Sequence, residues 1–405
     1  MRFRFLPLLV VLLWGARPSS AGDWPEIMGP KRRGVSQETG WNVDWNTKEP
    51  PLLWKAELGN GAASCAVAAG RVFTMGSNKA GNTESVICLN AETGKELWRQ
   101  TYDCEADAAN WTGGPASTPV VDADRVYTLS FRGQLFCWNA VDGIKMWELN
   151  LETAFKGIMP RWGWAGSPLV VGNMLVVEPG GNGSSRAAVD KLTGKIFWQS
   201  GTDPAAYASP VIFSSPSLRG VALFNASGLV GINPRDGTEL FRHPWKTSVD
   251  VNAATPVHRN GQFFIGSGYG SGIAMFDVKT GMVWSNKELM LQFQSPVLFG
   301  DHLYFVSGEA KASAMLQCLE WNTGRIAWSQ RVGNERGQTI VAGGKLIVVT
   351  QQGEVILADA SPAGYRELGR FQPLPADVYA SPAFSDRRLF IRNNRGRLVC
   401  LDLSP

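Results

Sequence analysis

The chain has 405 residues, 44% hydrophobic and 18% charged, with 39 Lys and Arg against 35 Asp and Glu. That balance excludes a disordered chain and supplies no basic field for nucleic acid or an anionic membrane. The 45 Gly, 23 Pro and 16 Trp point to an all-β fold, because Gly and Pro cost a helix interior about 1 and about 3 kcal/mol but serve tight turns.

Residues 1–21 read as an export signal. Arg2 and Arg4 precede an apolar run from Phe5 to Trp14, and Ser19-Ser20-Ala21 ends on the small residues a signal peptidase accepts, so cleavage is expected after Ala21. The apolar run is too short to span a hydrocarbon core about 30 Å thick. No Cys follows it to take a lipid. Losing Arg2, Arg4 and Arg17 leaves 36 basic against 35 acidic side chains. The expected product is a soluble periplasmic or extracellular monomer without a membrane span. Residues 22–50 form a lead-in, and residues 51–405 are expected to be one repeat domain.

That domain repeats in two registers. A Ser/Thr-Pro step, followed by two apolar residues (Val257-His258 in one copy) and a turn, recurs at Thr118-Pro119, Ser167-Pro168, Ser209-Pro210, Thr255-Pro256, Ser295-Pro296 and Ser381-Pro382. Ser64-Cys65 and Gln338-Thr339 stand in for the other two copies, and the steps are 40 to 54 residues apart. Such a unit holds four short strands and their turns. The second register is a polar residue, a Gly and an aromatic, as in Asn90, Gly94 and Trp98, or Asp190, Gly194 and Trp198. Glycine takes positive φ without penalty there, and the aromatic is expected to end the strand that follows.

The eighth copy stops at Asp402-Leu403-Ser404-Pro405 without its fourth strand, whereas Leu52-Leu53-Trp54-Lys55 precedes the first copy and matches Glu96-Leu97-Trp98-Arg99. A ring closed by the N-terminal strand pairs both ends and removes exposed sheet edges. The spacing thus predicts an eight-bladed β-propeller of four-stranded antiparallel blades, the eighth shared between residues 378–403 and 52–58.

The motif Ala-x-Asp-x-x-Thr-Gly-x-x-x-Trp, Ala188 to Trp198 here, resembles the repeat of the pyrroloquinoline-quinone (PQQ) propellers, which include quinoprotein dehydrogenases and the outer-membrane assembly factor BamB. Asp23-Trp24-Pro25 with Gly29-Pro30 and Gly34 resembles the start of exported members. The resemblance implies that each strand aromatic packs on the Gly turn of an adjacent blade. Phe241 and Leu368 depart from the Trp pattern, so their interfaces are expected to be looser.

Cys88, Cys137, Cys318 and Cys400 share one register, two residues before the polar turn residue. On different blades they stand further apart than a sheet spacing of about 10 Å, beyond disulfide reach, and read as small core residues. Cys65 and Cys104 break the register, and a bond between them stays open. The three His occupy turns or strand ends and form no catalytic or metal-binding set. No phosphate-binding glycine loop is present. A quinoprotein dehydrogenase would need PQQ on a tryptophan floor, calcium and an acid; members usually carry a pair of adjacent Cys, which is missing here.

The segments entering each innermost strand are expected to line the channel mouth. They carry Trp111, Arg161, Trp162, Trp164, Tyr207, Asp250, Asn252, Phe293, Arg336 and Tyr379. Exposed Trp and Arg compose protein-binding hot spots, and aromatic platforms also hold sugars. The sequence therefore predicts a non-catalytic, BamB-like envelope scaffold that binds another protein and needs no cofactor. The alternatives are a small-molecule or glycan binder, or a dehydrogenase using PQQ with calcium.

Overall fold

In each repeat the polar residue of the Gly turn builds the hairpin. Asn90 Oδ1 accepts the Glu92 and Thr93 amides at 3.0 and 2.9 Å, and Gly94 closes the turn at φ +69°. Asp190 does the same for Leu192 and Thr193. This local capping, which needs no tertiary partner, is why the motif recurs in sequence.

A computed structural model describes residues 22–106 and 113–405. Among these, the strands form eight sheets. Blades 1 to 7 run, in order, over residues 66–103, 120–150, 169–200, 211–244, 257–286, 297–334 and 337–371, and blade 8 over 383–402. Strand Leu52–Glu57 pairs antiparallel with Arg397–Asp402 and supplies the outer strand of blade 8. The eight-bladed ring closed by its N-terminal strand is therefore the observed fold. Blade 7 gains a fifth strand, Val35–Ser36, which pairs parallel with Val341 and Ala342. Arg392, fully buried, locks blade 8 to blade 1 by donating to the carbonyls of Met75, Gly59 and Gly61 at 2.6 to 3.2 Å.

The strand aromatic does not end its strand. Trp98 is the third residue of Glu96–Asp103, just past a bulge at Leu97. The same shift recurs in every blade, because the two-residue step past the turn must be absorbed before the ladder can continue. The bulge turns Leu97 to solvent and Trp98 inward. Each indole then spans to the next blade: a Cβ on Gly143 would stand 2.7 Å from the Trp98 ring, and Trp98 Nε1 donates to Ala140 O at 3.2 Å. Trp54, Trp147, Trp198, Trp284 and Trp328 make the same indole-to-carbonyl bond. Phe241 has no N–H to donate, and Gly281 of the next blade has nothing within 4 Å of its Cβ position. At Leu368 the gap is filled from outside the repeat, by Trp45 against Gly369 and Phe371 and by Trp41 against Phe384.

Cys88, Cys137, Cys318 and Cys400 are the cross-strand partners of Trp98, Trp147, Trp328 and Trp54. The position lies under the indole and is buried in each of these blades, and Met275 takes it opposite Trp284. All six Cys are free and buried, so Cys65 and Cys104 are not bonded. His243 lies near the end of strand Glu239–Pro244 and stacks on Phe276.

Candidate functional site

The Ser/Thr-Pro steps meet around the central channel. The Ser64 amide donates to Thr118 Oγ1, Thr118 to Ser167 Oγ and Ser167 to Ser209 Oγ, at 2.9 to 3.1 Å, and Thr255 repeats the bond to Ser295. A hydroxyl at this step thus satisfies an amide two residues ahead of the preceding blade's inner strand, before the ladder begins.

One end of the channel is closed by the lead-in. Trp24 pairs with Val67 of blade 1, the Val121 amide of blade 2 donates to Pro25, and Gly34 packs on Val297 of blade 6. Gly29, at φ +66°, lies flat on the Trp24 ring, where a Cβ would come within 2.5 Å. Arg32 is buried at 4% exposure. It donates to Ser167 O at 3.2 Å, to Pro210 O at 2.6 Å and to Pro168 O, and pairs with Glu26 at 2.7 Å. The base is a plug sealed by the apolar Trp24 and Met28 and by Arg32, whose donors are spent.

The other end opens into a cavity of ≈ 350 Å³ with Ile27 of the plug among its lining. Trp162 and Tyr207 stand in it with ring centroids 5.9 Å apart, and Arg161 lies 5.0 Å from the Trp162 ring. Phe293 and Tyr379 form a second pair at 4.8 Å, and the Arg336 guanidinium sits 5.0 and 5.6 Å from their centroids. Arg336 is held by Gln292 Oε1 at 2.6 Å, Gln351 Oε1 at 2.8 Å and Glu335 at 3.1 Å. Burial pushes the Tyr207 phenol up to about 12 and raises Tyr379 as well, so both stay protonated hydrogen-bonding groups.

The ring closure brings Trp162, Tyr207, Phe293, Arg336 and Tyr379 together. Trp164 is not on the face: it is 3% exposed and packs on Gly133 in the core between blades 2 and 3. The connection that carries it is not all loop, since residues Leu151–Phe155 form a short helix capped by Asn150. Asn252 is fully buried, donating to Asn225 O and Trp245 O and accepting from Ser267, and serves to hold loops. Asp250 is exposed at φ +57° and is not in the cavity lining. Trp111 lies outside the described residues. Among the lining residues that escaped the sequence reading are Ile27, Tyr269 and Gln292. Tyr269 sits in a blade hairpin, Gly268-Tyr269-Gly270, where an aromatic between two glycines was the available signal.

Among the described residues the cavity lining contains no Asp, Glu, His or Cys, and no cluster of such side chains elsewhere is arranged for a metal ion. Calcium takes six to eight oxygens with carboxylates among them, and a general base needs a pKa near the working pH. Hydroxyls, amides, phenols and one guanidinium supply neither the carboxylate oxygens that calcium takes nor such a base, so the lining does not fit a calcium-held quinone. Glu84 of blade 1, pushed up to about 7 by burial, is committed to Phe131 N of blade 2 and Tyr102 Oη of its own blade and does not reach the cavity.

The family described as outer membrane protein assembly factor BamB matches residues 34–110 and 82–330. Quinohemoprotein alcohol dehydrogenase ADH IIB of Pseudomonas putida is 30% identical over 153 residues, covering 34% of this chain and only 20% of that relative. BamB of Moraxella catarrhalis superposes with TM-score 0.63 at 15% identity, over 87% of this chain and 99% of its own. Quinohemoprotein alcohol dehydrogenase of Comamonas testosteroni gives TM-score 0.69 at 14% identity, over 95% and 81%. At these identities the structural likeness bears on fold alone.

Proposed function

The chain belongs to the family of the outer membrane protein assembly factor BamB, and on that premise we propose that it is an exported, non-catalytic propeller that binds a partner protein of the cell envelope through its channel mouth. The observation that carries this reading is the composition of the cavity: two aromatic pairs and one guanidinium on loops fixed by the blades, with no carboxylate, imidazole or thiol among its described lining residues. Aromatic and arginine side chains held rigidly around a concavity lose little entropy on binding and bury large areas. Among the described residues no helix is long and apolar enough to cross a membrane.

The cavity volume favours one second reading, because ≈ 350 Å³ also suits a small ligand such as a short glycan. A pull-down from envelope extract separates these. The intact protein is expected to retain a defined protein partner, and the Arg161→Ala, Trp162→Ala double variant to lose it. Thermal stabilisation by oligosaccharides with no protein retained would favour the second reading. Saturable, calcium-dependent quenching of tryptophan fluorescence by PQQ would overturn both.

A further inference from the structure

At the plugged end, the backbone reaches Gly22 beside a carboxylate. A Cβ built on Gly22 would stand 3.3 Å from Glu38 Oε1 and 3.3 Å from the Asp386 amide, a space that glycine alone occupies without pressing on a neighbour. Glu38 spans to blade 8, its two oxygens accepting the amides of Asp386 and Arg387 at 3.0 and 2.9 Å. Among the described residues no Lys, Arg or His pairs with Glu38 within 4 Å; the charges that face it are Asp386, which opposes its ionisation, and Arg387, which favours it. Burial nonetheless raises its carboxyl above the ordinary range. The two residues line one polar cavity of ≈ 470 Å³ between plug and blades 1 and 8.

We infer that cleavage after Ala21 creates the missing cation: the α-ammonium of Gly22 docks on the Glu38 carboxylate and ties the plug to blade 8. Water adds across the Ala21–Gly22 amide, leaving a carboxylate on Ala21 and an ammonium on Gly22. In the precursor the same nitrogen is a neutral amide with one N–H, so it cannot neutralise Glu38. Processing therefore completes the seat of the plug with a charge-assisted bond. This rests on the export reading above, and the experiment keeps the two apart.

The full chain is exported in a bacterial host, purified from the envelope fraction, and its N-terminus identified by mass spectrometry. The α-amine is then acetylated at pH 7 with an N-hydroxysuccinimide ester, with Lys55 as the exposed internal standard. We expect the mature chain to begin at Gly22. Its amine should react about tenfold more slowly than in Glu38→Gln, because one unit of pKa elevation removes about nine-tenths of the free amine. Lys55 should react equally in both. A chain that keeps residues 1–21 overturns the export reading and this one with it, and a chain cleaved at another residue overturns the docking. A chain that begins at Gly22 and reacts at the same rate in both proteins overturns the docking alone.

Discussion

Two buried arginines stand at the two ends of the channel, and they do different things. Arg32, at the base, gives its N–H groups to the carbonyls of Ser167, Pro168 and Pro210 and to the Glu26 carboxylate, all within the plug and blades 3 and 4. Arg336, at the mouth, is held from one side by Gln292, Gln351 and Glu335 and lies against the rings of Phe293 and Tyr379 in the cavity lining. The same side chain is a clamp where it meets backbone carbonyls and part of a binding wall where it meets half-buried rings that line the cavity. A buried guanidinium therefore says little about function until its partners are known.

The largest effect tests the frame both ends share. Deleting residues 52–58 should leave Arg397–Asp402 as an open edge and send the protein into aggregates, read by size-exclusion chromatography; a soluble folded monomer would deny ring closure. Next, Arg32→Ala strands three carbonyls and a carboxylate and should cost about 3 kcal/mol in urea unfolding. Arg336→Ala leaves only side-chain amides and Glu335, which can turn to water at the open mouth, and should cost about 1 kcal/mol while weakening partner capture. Equal losses at the two arginines would erase the distinction between clamp and wall. The smallest change is expected from the Arg161→Ala, Trp162→Ala double variant, within about 0.5 kcal/mol of the parent in unfolding. A loss of several kcal/mol there would make these residues core, as Trp164 is.

Trp162 and Trp164 show how far the sequence reaches. Both lie in one aromatic connection, and nothing in their spacing distinguishes them. Gly133, a turn residue of blade 2, faces the Trp164 ring and draws it into the core, while Trp162 meets Tyr207 from the next connection. Each choice was made by a neighbour outside the segment. The four in-register Cys were legible as core because the repeat itself placed them; the state of Cys65 and Cys104 was not, since neither stands at that position of the repeat.

By itself the sequence determined the blade, the number of blades and their closure, because these follow from local rules: an Asn or Asp that caps its own turn, a Gly at positive φ, and strand-length apolar runs repeated until the last copy lacks a strand that the N-terminus holds. Only the tertiary structure decided which end of the channel is sealed, which loop side chains share the open cavity, and that Trp41 and Trp45 fill the interface left by Leu368. Those contacts join residues tens to hundreds of positions apart, such as Arg32 with Pro210 or Glu38 with Arg387. They leave no period in the chain, because each is made once and only after the ring has brought its two sides together.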